Sequence, residues 1–256
     1  MSTPTVFEKS RTIKTVGLNT EEVRRVAEAE GVVRVNAPGL TAHGFADFLN
    51  TLGTPMFTEG ETPVIGLPDL NVVTNVGRTS KPRSVYHSDT TYVARPPSYA
   101  GLLAVEVPER GGATMFLDQY EAYERLPEDL KSLLNGATML HSATGVTLGP
   151  EAETSARHPV LRRHPGTGRS SLFLTTPARC SNLQLASGED RSDLIAPLYD
   201  HALNSKSIRS HSWSNGDVIV WDNRCTLHAA DHSDVQGNRT LFRGLIRGEV
   251  PTAADT

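Results

Sequence analysis

The sequence predicts a mainly β protein, built as an antiparallel sandwich or barrel that few helices interrupt. Short strand-like segments separated by turn residues follow one another through the second half of the chain. No glycine- or proline-rich linker divides the 256 residues, a length that one β-rich domain commonly reaches. We therefore expect a single domain over residues 1–256.

The first hundred residues contain two helical patterns and one long connection. Asparagine and threonine, good N-caps, precede an amphipathic pattern over Glu21–Glu30. Thr41 is the predicted cap of a second helix, Ala42–Leu52, which a glycine ends. Residues 59–97 are rich in Pro, Gly, Thr and Asn and predict connecting structure, with a short apolar stretch at Leu70–Val73. Long connections in compact domains often carry function.

The rest of the chain is mostly predicted strand. Gln119–Leu134 and Arg191–Leu203 have helical periodicity instead. The pair Asn215-Gly216 is a tight-turn signal between two strands. The predicted strands are Val32–Val35, Tyr99–Val107, Ala113–Leu117, Thr138–His141, Pro159–Arg163, Ser171–Thr175, Ile208–Trp213, Asp217–Asp222 and Arg239–Arg247.

Composition excludes several classes of protein. The net charge of −4 gives no support for nucleic-acid binding, which usually requires a basic excess. No apolar run approaches the length of a membrane span, and the N-terminus has no apolar signal-peptide core. Cys180 and Cys225 are the only cysteines, too few for a disulfide scaffold. We expect a cytoplasmic protein with no nucleic-acid or membrane partner, and we leave a homo-oligomer open.

A metal-binding pattern ends the long connection. In an extended segment, residues i and i+2 point to the same side, so His87 and Asp89 can both reach one ion. A histidine from a distant strand would complete a face of two histidines and one carboxylate, which leaves three positions open on ferrous iron. The pattern alone is weak, because a second one, His232-Ser233-Asp234, occurs in the same chain. For that second pair no third ligand follows, and a solvated loop is the better interpretation.

The C-terminal segment resembles a known family. It contains Trp221-Asp-Asn-Arg224, then His228, then two arginines eleven and fifteen residues further on, Arg239 and Arg243. Thr114 follows His87 by twenty-seven residues, at a strand start after two glycines. Order and spacing together are similar to those of the taurine dioxygenase family, which includes the aryloxyalkanoate dioxygenases. Further similar stretches are His158-Pro159-Val160, His164-Pro165 and Ser171-Leu-Phe173, and the resemblance covers about residues 41–249.

The resemblance implies a double-stranded β-helix, or jelly roll, with flanking helices. It implies a reaction in which Fe(II), 2-oxoglutarate and O₂ oxidise a C–H bond and release succinate and CO₂. His87, Asp89 and His228 would bind the iron. Thr114 and Arg239 would bind the far carboxylate of 2-oxoglutarate, for which a guanidinium fork is well suited. Arg243 would lie near the iron-bound end of the cosubstrate and the anionic group of the substrate.

The substrate is left open by the sequence. The residues specific for taurine are not reproduced, and Arg83 stands four residues before His87, where taurine dioxygenase has asparagine. We expect a small, anionic organic substrate held by Arg243, with Arg83 as a second cation at the cavity mouth or in solvent. Hydroxylation, desaturation and ring formation all stay open. Asp89 argues against an iron halogenase, which lacks this carboxylate. A non-catalytic jelly roll that binds a small ligand and a zinc hydrolase on the same ligands are the rival classes, and no H-E-x-x-H or comparable general base supports the hydrolase.

Overall fold

The computed structural model describes residues 12–77, 84–145, 148–205 and 207–254. The helices are α1 Thr20–Glu30, α2 Ala42–Leu52, α3 Gln119–Glu124, α4 Glu128–Leu134 and α5 Ile195–Leu203. The strands are β1 Lys14–Gly17, β2 Val32–Asn36, β3 Pro55–Met56, β4 Pro63–Val64, β5 Leu67–Thr74, β6 Pro97–Glu106, β7 Thr114–Asp118, β8 Thr138–Ser142, β9 Ser155–Pro159, β10 Leu161–Arg163, β11 Ser170–Leu172, β12 Cys180–Gln184, β13 Arg209–His211, β14 Val218–Asp222, β15 Thr226–Ala230, β16 Thr240–Arg247 and β17 Thr252–Ala253.

The largest sheet has the strand order β1-β2-β14-β6-β16-β5-β4, with β3 paired to β16. Every pair in it is antiparallel except β1 with β2. Strand β14, which lies between β2 and β6, is buried along its whole length, and its residues alternate between two apolar layers. Val218 and Val220 pack with α1 and α2 on the outer face. Ile219 and Trp221 face inward.

A second layer covers the inner face of this sheet. Strands β13, β7 and β15 form a three-stranded sheet, and Phe116 of β7 packs against Trp221 with ring centroids 5.7 Å apart. Leu117 points the other way, into a core shared with α3, α5 and the remaining small sheets. Two face-to-face β layers with helices outside confirm the predicted jelly roll.

Local signals predicted some elements better than others. The helix Ala42–Leu52 is confirmed with its cap, since the Thr41 hydroxyl accepts from the Gly44 amide at 3.1 Å. The single helix predicted over Gln119–Leu134 is wrong, because Pro127 separates α3 from α4 and has no N–H to continue the ladder. The predicted strand Pro159–Arg163 also divides, at Val160, whose amide bonds to Ala137. In the described ranges, no helix is long and apolar enough to cross a membrane.

Candidate functional site

Two histidines, His87 and His228, lie opposite each other at strand β15 of the inner β layer. The amide of His87 donates to the carbonyl of His228 at 3.0 Å, and the amide of His228 donates back at 2.9 Å. Residues that exchange both hydrogen bonds in an antiparallel pair lie directly opposite, with side chains on one face. The imidazole centroids are accordingly 4.4 Å apart. Asp89 follows two residues after His87 and joins the same face.

The three side chains surround a space that fits one metal ion. Asp89 Oδ1 lies 3.5 Å from His87 Nε2, and Asp89 Oδ2 lies 3.7 Å from His228 Nε2. Ligand atoms that each bind an ion at about 2.1 Å can be up to about 4.2 Å apart. Asp89 Oδ2 is buried and has no hydrogen-bond partner in the described structure. An unpartnered buried carboxylate oxygen is costly, and an ion bound there would satisfy it.

The electrostatics suit deprotonated ligands. Burial, together with the neighbouring His87, lowers the pKa of His228 to about 3, so its imidazole is neutral near pH 7. Burial opposes ionisation of Asp89, yet Arg243 and His228 hold the pKa of that carboxyl well below its usual range. A neutral imidazole and an ionised carboxylate are the forms that bind divalent metals.

The Trp-Asp-Asn-Arg segment positions these ligands. The side chain of Asn223 accepts from the Asp89 amide at 2.8 Å and donates to the Asp89 carbonyl at 3.1 Å. Trp221 packs on the ring of His228, with centroids 4.5 Å apart. Directly after Asp89 the chain turns, and Thr90 adopts the left-handed region at φ 48°. Strained backbone of this kind persists where the surroundings over-determine it.

A cavity of about 180 Å³ opens beside the two histidines, and three further predicted residues, Thr114, Arg239 and Arg243, line it. The Arg239 guanidinium in it donates to the Gly112 carbonyl at 2.9 Å and to the Thr114 hydroxyl at 3.2 Å. Burial lowers the pKa of Arg239 to about 10, and no carboxylate pairs with it among the described residues. It therefore stays protonated near neutral pH without a counter-ion. The other lining residues are Val73, Val85, Leu102, Trp221, Ala230, His232 and Arg243.

Thr114 is oriented by a residue that the sequence analysis did not select. The indole N–H of Trp213 donates to the Thr114 hydroxyl oxygen at 3.0 Å. This oxygen then accepts two hydrogen bonds, from Trp213 and Arg239, and its own hydrogen is left to donate elsewhere. The site thus offers a guanidinium and a hydroxyl donor side by side, as an anion-binding pocket requires.

Arg243 lies on the inner face of β16 and contacts three groups. Its Nη1 donates to Asp89 Oδ1 at 3.0 Å, its Nη2 to Glu61 Oε1 at 3.2 Å and its Nε to Asn71 Oδ1 at 3.2 Å. Neither Glu61 nor Asn71 was selected from the sequence, since they are 182 and 172 residues away from Arg243 in the chain. Arg83 lies outside the described residues, so its predicted place at the cavity mouth stays a prediction.

A second group of metal-ligand residues, Glu28, His164 and Asp222, is held by protein donors instead. Arg224 bonds both oxygens of Asp222 and also Glu28. His164 Nε2 lies 2.9 Å from Asp222, and its Nδ1 accepts from two backbone amides. Because these partners satisfy the carboxylates, we interpret the group as structural.

The second histidine–aspartate pattern and a further cleft can also be located in the structure. His232 lines the cavity, but Asp234 pairs with Arg110 at 2.6 Å, and the two do not form a ligand cluster within the described part of the chain. A larger open cleft of about 470 Å³ lies elsewhere. Arg34 and His211 both bond Asp217 there, so the polar side chains of this cleft satisfy one another through Asp217.

A jelly roll that brings two histidines and one carboxylate to one face has the arrangement of the non-haem iron oxygenases. Comparison with known families identifies the chain more closely. The model of the Taurine catabolism dioxygenase TauD, TfdA family matches residues 5–245. The chain belongs to this family, as its C-terminal motif predicted.

Individual relatives are similar over about two thirds of the chain. The alpha-ketoglutarate-dependent 2,4-dichlorophenoxyacetate dioxygenase of Burkholderia sp. (strain RASC) is 36% identical over 174 residues, 64% of this chain and 58% of that protein. The alpha-ketoglutarate-dependent sulfate ester dioxygenase of Pseudomonas putida is 30% identical over 66% of this chain and 62% of its own length. A crystal structure of a taurine dioxygenase from Burkholderia xenovorans matches with a TM-score of 0.79 and 26% identity, over 95% of this chain and 90% of that one. The matched region thus spans less than two thirds of these curated relatives.

Proposed function

We propose that this protein is an Fe(II)- and 2-oxoglutarate-dependent dioxygenase that oxidises a C–H bond of a small organic molecule and releases succinate and CO₂. The observation that carries the proposal is a cavity beside the two-histidine, one-carboxylate face that contains a buried arginine with no carboxylate partner among the described residues. We propose further that residues 1–256 form a single domain with this activity.

His87, Asp89 and His228 are the proposed iron ligands. Two neutral imidazoles and one carboxylate leave a ferrous site with a net charge near +1, which favours an anionic chelating cosubstrate. Iron supplies the oxygen chemistry that no side chain can perform. The protein's part is to hold the three iron ligands on one face. The backbones of His87 and His228 pair with each other, and the Asn223 side chain forms two hydrogen bonds to the main chain of Asp89.

Arg239 and Thr114 are the proposed partners of the distal 2-oxoglutarate carboxylate. The buried guanidinium has no counter-ion in the described part of the chain, and the Thr114 hydroxyl has one hydrogen left to donate. A carboxylate bound there would compensate the buried charge. The apolar lining residues Val73 and Leu102 would shield the rest of the cosubstrate and the reacting carbon from water.

The proposed substrate is small and carries an anionic group that binds Arg243. The size of the cavity supports a small molecule. The names of two relatives, acting on a phenoxyacetate and on sulfate esters, support an anion. Arg243 lies next to the carboxylate that we assign to iron, which would place the anionic group close to the reacting centre.

The test is anaerobic addition of Fe(II) and then 2-oxoglutarate to the purified protein. Bidentate chelation of ferrous iron by 2-oxoglutarate gives a weak visible charge-transfer band, which a zinc hydrolase or a non-catalytic jelly roll would not produce. A screen of small organic acids for succinate release then identifies the substrate. Absence of the band, together with no measurable 2-oxoglutarate binding to the metal-loaded protein, would refute the proposal.

A further inference from the structure

A carboxylate of the protein itself, that of Glu61, already forms an ion pair with Arg243. Glu61, in the loop between β3 and β4, receives Nη2 of Arg243 on one oxygen and Nδ2 of Asn71 on the other, at 3.2 and 3.4 Å. Asn71 is buried, and its amide orientation is determined because its oxygen must accept from Arg243 Nε. Arg243 and Asn71 thus form a subsite with two donors for one carboxylate group.

Arg243 pairs with two carboxylates, those of Asp89 and Glu61, and the two side chains differ in how deeply they are buried. The side chain of Asp89 is 6% exposed and belongs to the proposed metal face. That of Glu61 is 37% exposed and lies in a loop from which it can turn into solvent. The loop itself is anchored independently, because Thr58 bonds the Thr90 hydroxyl at 3.0 Å and Glu59 accepts from the Gly149 amide at 2.9 Å. Glu61 can therefore leave Arg243 without the loop detaching.

We infer that Glu61 is a tethered competitor, which occupies the Arg243–Asn71 subsite until the anionic group of a substrate displaces it. The inference rests on the proposed function, and it makes Glu61 and Asn71 specificity-determining residues of that site. With Glu61 in place, one cation faces two carboxylates, and a further anion would meet net repulsion. When Glu61 turns away, the charges of Arg243 and Asp89 balance. An incoming anion can then accept from the two donors that Glu61 has left, Arg243 Nη2 and Asn71 Nδ2. A neutral molecule cannot displace Glu61 in this way, because it has no charge to pair with Arg243.

Sulfate can stand in for the unidentified substrate, because its binding measures how readily an anion displaces Glu61 from Arg243. The protein is first loaded with Mn(II) and 2-oxoglutarate, so that Arg239 is occupied, and is then titrated with sulfate at constant ionic strength. The readout is intrinsic fluorescence, since both tryptophans of the chain are at the site: Trp221 lines the cavity and Trp213 bonds Thr114. Because an exposed ion pair competes only weakly, Glu61→Gln should tighten sulfate binding roughly two- to fivefold.

Glu59→Gln is the matched control. It removes the same charge from the same loop but from a side chain bonded to Gly149 instead of Arg243, so sulfate affinity should stay at the wild-type value. Adding Arg243→Gln to Glu61→Gln should abolish the gain. Once a substrate is known, Glu61→Gln should lower the KM of the acid and leave that of its neutral amide unchanged.

Two results would overturn the inference: no tighter sulfate binding in Glu61→Gln, or an equal gain in Glu59→Gln, which would indicate a general charge effect. Failure to load Mn(II) and 2-oxoglutarate is a different result. It would refute the proposed function, and the role of Glu61 would fall with it. Normal loading with unchanged sulfate affinity refutes the role of Glu61 alone.

Discussion

Replacing Trp213 with phenylalanine should weaken 2-oxoglutarate binding, although Trp213 itself need not touch the cosubstrate. Its indole N–H donates to the Thr114 hydroxyl at 3.0 Å, and Arg239 donates to the same oxygen at 3.2 Å. With both acceptor positions filled, the hydroxyl hydrogen is left to donate to a group bound in the cavity that Thr114 lines. Without the indole donor, the hydroxyl can turn its hydrogen elsewhere, and its bond to the cosubstrate loses its fixed direction.

The expected magnitude is that of one oriented hydrogen bond. Removing such a bond costs about 0.5–1.5 kcal/mol, and about 1.4 kcal/mol corresponds to a factor of ten in affinity, so the dissociation constant of 2-oxoglutarate should rise roughly two- to tenfold. Thr114→Val removes the donor itself and should have an effect of similar size. The measurement is calorimetric titration of the Mn(II)-loaded protein with 2-oxoglutarate, which does not depend on turnover.

A double-mutant cycle distinguishes positioning from a general structural effect. If Trp213 acts through Thr114, then Trp213→Phe should add almost nothing in a Thr114→Val background, because the hydroxyl that it orients is gone. The free energy of unfolding of each variant, from urea titration, serves as the control for a damaged fold. Additive losses in the double variant would show that Trp213 affects the pocket by another route, and the reasoning would be wrong.

Three further predictions follow from the site and its surroundings. Alanine at His87, Asp89 or His228 should abolish metal-dependent 2-oxoglutarate binding and succinate release; an Asp89→Ala protein with normal iron content and full activity would contradict the ligand assignment. Arg239→Gln should raise the 2-oxoglutarate KM by the factor that corresponds to about 2–5 kcal/mol, the loss typical of one partner of a buried charge pair, and an unchanged KM would place the carboxylate elsewhere. Asp222→Asn should lower the free energy of unfolding by about 1.5–3 kcal/mol, because it weakens the charge-assisted hydrogen bonds that Arg224 donates to Asp222, while Arg224 keeps Glu28 and Glu249 as partners. Burial opposes ionisation of Asp222, yet Arg224 and His164 hold its pKa below the usual range, so its contribution is present above about pH 4 and lost as pH falls below that value. Acid unfolding of the asparagine variant should therefore depend less on pH in this range, and an equally steep acid transition would argue against the role of the pair.

The sequence predicted best what depends on neighbours in the chain. Helix Ala42–Leu52 has its cap and stop signals within its own residues, and both ends agree with the structure. The segment over Gln119–Leu134 has apolar periodicity throughout, and here the periodicity was given more weight than Pro127, which the structure shows to be decisive. Strand β15 carries His228 but was not predicted, because four of its five residues are buried, on both faces, and it has no alternating pattern.

The candidate site also divides into features that the sequence predicts and features that depend on long-range contacts. The residue types and spacings of His87, Asp89, His228, Thr114, Arg239 and Arg243 are properties of the sequence, and the structure brings all six to one region. The partners of these residues are not encoded by spacing. Trp213 reaches Thr114 across 99 residues, and Glu61 reaches Arg243 across 182, through strand pairings that no local pattern specifies. The predicted cytoplasmic location, the oligomeric state and the place of Arg83 stay predictions.

The segment Trp221-Asp222-Asn223-Arg224 explains why the two groups of histidine and carboxylate have different chemistry. At the end of β14 successive side chains diverge: Asp222 points to His164 and Arg224, while Asn223 turns to the backbone of Asp89. The carboxylate of Asp222 thereby receives its donors from protein, whereas Asn223 bonds the main chain of Asp89 and not its carboxylate, whose Oδ2 is left without a donor in the described structure. Burying a charged oxygen without a donor makes little sense for stability alone, since a hydrogen-bonded group would cost less. One short segment thus stabilises the fold through its aspartate and arginine, and through its asparagine holds Asp89 in place at the proposed metal site.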